Sequence, residues 1–94
     1  APDLKVEVET DTLEQAEAAA NAGANIILLD NMPPKMLCEA VALIDGRSQT
    51  EASGGITLAN VRAVAETGIN YISVGALTHS AVAVDIAMDF SPTP

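Results

Sequence analysis

Four β-type runs in this chain end at Glu9, Asp30, Ser53 and Gly75, at intervals of 21, 23 and 22 residues. An interval that regular points to a repeated strand–helix unit with compact connections. The runs cover residues 4–9, 25–30, 48–53 and 70–75. Between them the apolar period becomes helical. Leu37, Ala40, Val41 and Ile44 stand at i, i+3, i+4 and i+7, one buried stripe. Leu13, Ala16 and Ala20 form the stripe of the first helix, with Glu14, Gln15 and Glu17 facing out. Leu58, Val61, Val64 and Ala65 are expected to form that of the third. Thr12, three residues before Gln15, has capping-box spacing, and Pro33-Pro34 suits a first helical turn. Thr57 is expected to cap the third helix. Gly23, Gly46 and Gly68 fall where helices should stop. Ser80 is expected to open a short last helix over residues 80–88, and residues 91–94 read as a loose tail.

The run Ile26-Ile27-Leu28-Leu29 is apolar without alternation. Such a strand is expected to be covered on both faces, as in parallel sheets surrounded by helices. The fold class is therefore α/β, built from repeated βα units with parallel strands. Four units make half of an eight-stranded, TIM-like barrel. A whole barrel needs about 200 residues or more, against 94 here. Residues 1–90 thus read as part of a larger barrel.

The formal net charge is −9, with only Lys5, Lys35, Arg47 and Arg62 positive. Coulomb repulsion disfavours nucleic acid and anionic membrane surfaces as partners. Tyr71 and Phe90 are the only aromatic residues, too few for a base-stacking platform. No apolar run approaches the ~18 residues of a membrane span, and the first residues show no signal-peptide pattern. The single cysteine, Cys38, cannot form an internal disulfide and reads as a structural thiol, so a reducing, cytoplasmic setting is expected.

In parallel α/β folds ligands bind at the carboxyl ends of strands, and here each strand ends in a polar residue or a glycine. Glu7 and Glu9 alternate with Val6 and Val8. The glutamates either face inward, where they need water, cations or sugar hydroxyls, or mark an exposed edge strand. Asp30, directly after an apolar strand, suits Mg²⁺ or ribose hydroxyls, and equally a turn or helix cap. Ser53-Gly54-Gly55 before a helix start suits a phosphate, because glycine lets backbone N–H groups approach an anion. The same pair would serve a tight strand–helix turn. Ser73 and Gly75 are expected to face inward and Ile72 and Val74 to face the helices. Gly75 leaves room for a ligand. His79, the only histidine, can donate to a phosphate or simply be solvated.

These residues carry a family resemblance. Val8-Glu9, then Ala22-Gly23-Ala24-Asn25-Ile26-Ile27-Leu28-Leu29-Asp30-Asn31, then Glu51-Ala52-Ser53-Gly54-Gly55-Ile56-Thr57, then Ile72-Ser73-Val74-Gly75-Ala76-Leu77-Thr78-His79-Ser80 appear in order. Together they resemble the C-terminal part of quinolinate phosphoribosyltransferases. That resemblance implies the C-terminal half of an irregular α/β barrel. It implies transfer of a phosphoribosyl group from phosphoribosyl pyrophosphate to quinolinate, giving nicotinate mononucleotide, pyrophosphate and CO₂ in NAD biosynthesis. Mg²⁺ as cofactor and a homodimer or higher homo-oligomer are implied with it. By the same resemblance Glu9 and Asp30 serve the ribose and the metal. Ser53, Gly54 and Gly55 bind phosphate, with Val74, Gly75 and Ala76 beside it. Binding a dicarboxylate and a polyphosphate takes several cations, and no basic residue of this chain stands at a strand end. The chain alone is therefore expected to be inactive, as part of a longer subunit. A related phosphate-binding barrel with another substrate, or a non-catalytic half-barrel that self-associates, are the competing readings.

Overall fold

The computed structural model describes residues 5–75 and 81–85. The elements run β1 (Glu7–Thr10), α1 (Leu13–Asn21), β2 (Ile26–Asp30), α2 (Pro34–Ile44), β3 (Gln49–Ser53), α3 (Val61–Ala65), β4 (Tyr71–Gly75) and β5 (Ala81–Asp85). The strands form one sheet in sequence order. The first four are parallel, as the α/β reading requires.

Each helix starts and stops for a local reason. Thr12 Oγ1 accepts from Gln15 N at 3.1 Å, and Gln15 Oε1 accepts from Asp11 N at 2.9 Å. Two otherwise orphaned amides are thereby satisfied at the α1 start. Pro34 opens α2, where its missing N–H costs nothing. At the other end of α2, Arg47 donates from Nε to the Ile44 carbonyl and from Nη2 to the Leu43 carbonyl, at 2.9 and 2.7 Å. Its Nη1 reaches Asn21 Oδ1 at the end of α1. One guanidinium thus covers the negative end of a helix and ties two helices together.

The lower edge of the sheet repeats a device. Asn25 and Asn70 each precede a strand and each follow a positive-φ glycine, Gly23 or Gly68. Asn25 Oδ1 accepts from Val6 N at 2.7 Å, and Asn70 Oδ1 accepts from Thr50 N at 2.9 Å. The asparagine side chain stands in for a strand carbonyl before the ladder begins, which satisfies an amide at the start of the neighbouring strand, Val6 just before β1 and Thr50 second in β3.

One face of the sheet holds the core. Thr10, Leu29, Ala52 and Ile72 stand in one register row, and with Ile27 and Thr50 they are buried. Ala16, Ala19 and Ala20 of α1, Leu37, Ala40 and Ile44 of α2, and Val64 and Ala65 of α3 pack against them. Ile27, Leu29, Leu37, Ile44 and Ile72 are the largest fully buried side chains.

Four expectations are corrected. β2 is not covered on both faces: its burial alternates, with Ile26 and Leu28 only partly buried. No element of this chain lies over that second face among the described residues. Leu58 does not join the third stripe and is 93% exposed. The reason is that α3 begins only at Val61, after a turn in which Asn60 N and Val61 N both bond the Thr57 carbonyl. Thr57 is accordingly not the cap; Asn60 is, without a side-chain bond. Residues 81–85 are a strand, not helix, and pair antiparallel with β4. Alternating Val82 and Val84 suit a strand, and pairing satisfies backbone groups that β4 would otherwise leave at an open edge.

Asn70→Ala leaves the Thr50 amide without its partner and is expected to destabilise the chain by about 1–3 kcal/mol in urea unfolding. Leu58→Ser should leave stability within about 0.5 kcal/mol. A Leu58 loss as large as that of Asn70 would contradict the exposed placement.

Candidate active site

Parallel pairing brings the ends of β1, β2 and β3 to one edge. Asp30 stands opposite Ser53 in the register. The two are joined twice. Asn31 N donates to the Ser53 carbonyl at 2.7 Å, and Ser53 Oγ donates to Asp30 Oδ1 at 3.1 Å. Directly after Asp30 the backbone turns through Asn31 at φ 57°, a left-handed conformation that asparagine tolerates better than most residues.

The β3 turn continues through Gly54 and Gly55, both at positive φ (79° and 68°). A Cβ on Gly54 would stand 2.7 Å from Asp30 Oδ1 and 3.1 Å from Asn31 N. A side chain at position 54 would be strained by the positive φ and would have to displace the Asp30 carboxylate. Both glycines are exposed. Asn60 fixes the turn from below: its Nδ2 donates to the Gly55 carbonyl at 2.9 Å, and its Oδ1 accepts from Thr57 N at 2.8 Å.

Two cavities flank this junction. One, of about 240 Å³, is lined by Glu9, Thr10, Asp11, Gln15 and Asp30. The structure thus brings Glu9 and Asp30 to one space. The other, of about 270 Å³, is lined by Asn31, Gly54, Gly55 and Asn60 together with apolar side chains that include Met32 and Ile56. Asp30 lines the carboxylate cavity and its neighbour Asn31 the glycine cavity, while Ser53 lines neither and meets the site through its bond to Asp30. Among the described residues no group of three or more His, Cys, Asp or Glu side chains is placed to hold a metal. Glu9 and Asp30 are nevertheless two hard oxygen donors on one cavity. That set suits Mg²⁺, which takes one or two carboxylates and completes its shell with water and ligand phosphates.

Gly75 ends β4. Val74 is partly buried and packs against the core. Ala76 and His79 lie outside the described residues. Cys38 is exposed on α2 and fills no core position. No helix among the described residues is long and apolar enough to cross a membrane.

Sequence reasoning passed over Glu51. It stands in the row Glu9–Leu28–Glu51–Tyr71 on the uncovered face. Burial raises its carboxyl above the usual glutamate range, and the charge of Glu7 adds to the rise. The signal was present: Glu51 is two residues before Ser53 and so shares its face. Asn31 and Asn60 carry no such periodic mark. Their roles arise from turn geometry alone.

Residues 1–89 match the family model described as quinolinate phosphoribosyl transferase, C-terminal domain. The chain belongs to this family. It is 48% identical over 86 residues to a probable nicotinate-nucleotide pyrophosphorylase (carboxylating) of Bacillus subtilis, covering 92% of this chain and 30% of that protein. It is 46% identical over 92 residues to the nicotinate-nucleotide pyrophosphorylase (carboxylating) of Mycobacterium leprae, covering 95% and 32%. The crystal structure of the Ehrlichia chaffeensis nicotinate-nucleotide pyrophosphorylase superposes with a TM-score of 0.77 at 36% identity, covering 88% of this chain and 30% of that one. The chain therefore spans about 30% of the length of the relatives it matches.

A carboxyl whose pKa is raised by folding favours the folded state below its unfolded pKa and loses that contribution as pH rises through the folded value. Glu51→Gln is therefore expected to raise the thermal midpoint at pH 7, by on the order of 2 °C. It should leave the midpoint unchanged near pH 4. A larger gain at pH 4 than at pH 7 would reverse the sign of this assignment.

Proposed function

We propose that the chain supplies the phosphate- and ribose-facing part of the active site of a quinolinate phosphoribosyltransferase. The enzyme would make nicotinate mononucleotide, pyrophosphate and CO₂ from quinolinate and phosphoribosyl pyrophosphate. The observation that carries the reading is the joint between Asp30 and the Ser53-Gly54-Gly55 turn. It sets a carboxylate cavity and an exposed glycine turn side by side at adjacent strand ends, in a chain of that family.

The residues suit the chemistry. Cleaving the bond between ribose and pyrophosphate builds positive charge at the anomeric carbon. Glu9 and Asp30, fixed on one cavity, would favour that charge electrostatically without reorganising at the moment of reaction. The backbone of the exposed Gly54 and Gly55, the Ser53 hydroxyl and the β4 end at Gly75 would hold the 5′-phosphate, with Val74 and Ala76 contributing backbone and His79 a further donor. Mg²⁺, held by Glu9 and Asp30, would neutralise charge on the pyrophosphate.

The cations for quinolinate are assigned outside this chain. Arg47 is committed to helix carbonyls, and Lys5, Lys35 and Arg62 line neither cavity. The uncovered sheet face supports the same reading, since it leaves room for the rest of the subunit. Pairing of subunits into a dimer or larger assembly and a cytoplasmic setting complete the proposal.

In the intact subunit carrying this segment, Asp30→Asn is expected to lower kcat on the order of 100-fold, with KM for quinolinate little changed. The 94-residue chain assayed alone should form no nicotinate mononucleotide. Undiminished turnover by the Asp30 variant, or enzyme-like turnover by the chain alone, would defeat the proposal.

A further inference from the structure

The Ser53-Gly54 turn suits an anion. Its contacts in the structure are with a carboxylate. Ser53 Oγ donates to Asp30 Oδ1 at 3.1 Å, and Gly54 leaves free the space in which a Cβ would meet that same oxygen at 2.7 Å. The register holds Asp30 and Ser53 opposite each other, and the Asn31 amide locks the two strand ends at 2.7 Å. From these contacts we infer that Ser53 and Gly54 are positioning residues for Asp30, one by tethering its Oδ1 and the other by keeping clear the space beside it.

The chemistry follows from how a carboxylate binds a cation. Asp has two side-chain torsions, and a free carboxylate samples several orientations. A hydroxyl bonded to one oxygen removes most of that freedom and leaves the second oxygen for a ligand. Partners of this kind, which orient a metal-binding carboxylate without touching the metal, typically change affinity 10- to 100-fold when removed. The β3 turn would then set both halves of the site at once, and a phosphate that drew Ser53 Oγ away would loosen Asp30 at the same time.

Two controls separate this role from simple turn strain. Gly54 and Gly55 both adopt positive φ, so alanine at either position is strained. Only the Gly54 side chain would strike Asp30; at Gly55 the nearest atom is Asn31 Oδ1 at 3.4 Å, an ordinary contact. Threonine at position 53 keeps the hydroxyl, whereas alanine removes it.

The inference rests on the metal role proposed for Asp30, and the test reads metal binding apart from turnover. Binding of Mn²⁺, as a stand-in for Mg²⁺, is measured by electron paramagnetic resonance on the intact subunit without substrates. Kinetic constants for phosphoribosyl pyrophosphate and thermal midpoints are measured on the same proteins. Ser53→Ala is expected to weaken Mn²⁺ binding about 10-fold, and Ser53→Thr to restore it to within about twofold. In an Asp30→Asn background Ser53→Ala should add no further loss, the signature of two groups acting as one. Gly54→Ala and Gly55→Ala should both lower the midpoint, Gly54→Ala at least as much because its Cβ also presses on Asn31 N, with only Gly54→Ala losing Mn²⁺. Unchanged Mn²⁺ binding in Ser53→Ala with a raised KM for phosphoribosyl pyrophosphate would overturn the inference and leave Ser53 to the phosphate alone. Equal Mn²⁺ loss in both glycine variants, or no Mn²⁺ binding by the parent protein, would overturn it too. An intact subunit that binds Mn²⁺ with this pattern but forms no nicotinate mononucleotide would refute the proposed reaction and leave the positioning role standing.

Discussion

The helices of this chain cover one face of its sheet, and much else follows from that asymmetry. The covered face buries Ile27, Leu29, Ala52 and Ile72 against α1, α2 and α3, and burial of this apolar area is the main stabilising term. The other face carries Ile26 and Leu28 beside Glu7, Glu9, Glu51 and Tyr71. Apolar side chains in the middle strand make that face worth covering, while carboxylates around them make it costly to dry unless cations or hydroxyls arrive with the cover. A face of this composition is suited to a lining, where water and ligand remain, more than to a second core.

The turn between β3 and α3 shows how function and packing share the same atoms. Gly54 serves the turn through its positive φ and serves Asp30 through the room it leaves. Asn60 caps α3 while its amide holds the Gly55 carbonyl. None of these groups has one duty, so substitutions there perturb backbone and site together. That overlap is why two glycine positions with similar dihedral angles form a better comparison than either one against the parent.

The repeat, the parallel order and the strand ends were legible because they rest on period and spacing. Leu37, Ala40 and Ile44 are buried where the helical period puts them, and Asp30 and Ser53 meet because equal repeats give level strand ends. Leu58 escaped because its apolar character says nothing about where the chain starts to coil; the Thr57–Asn60 turn decides that. Residues 81–85 were misread because Ala81-Val82-Ala83-Val84 carries both helix-forming alanine and strand-forming valine, and the open edge of β4 settles between them. β2 read as buried on both sides because its sequence reflects what the strand is built to meet, while its burial reflects only what this chain provides. The Glu51 environment needed the third dimension, since Glu7 lies two strands away.

Arg47 has a wider consequence. Its guanidinium is held on the carbonyls of Leu43 and Ile44, so one of only four cations is not free to contact a ligand, in a chain whose net charge is −9. The long-range field that an incoming anion meets from this segment is therefore repulsive, even where the local amides would welcome it. Dissolved salt screens the repulsion over about 8–10 Å but leaves short hydrogen bonds largely intact. For this segment, ionic strength acts opposite to its usual effect on anion capture: screening lowers the barrier to approach instead of weakening an attraction.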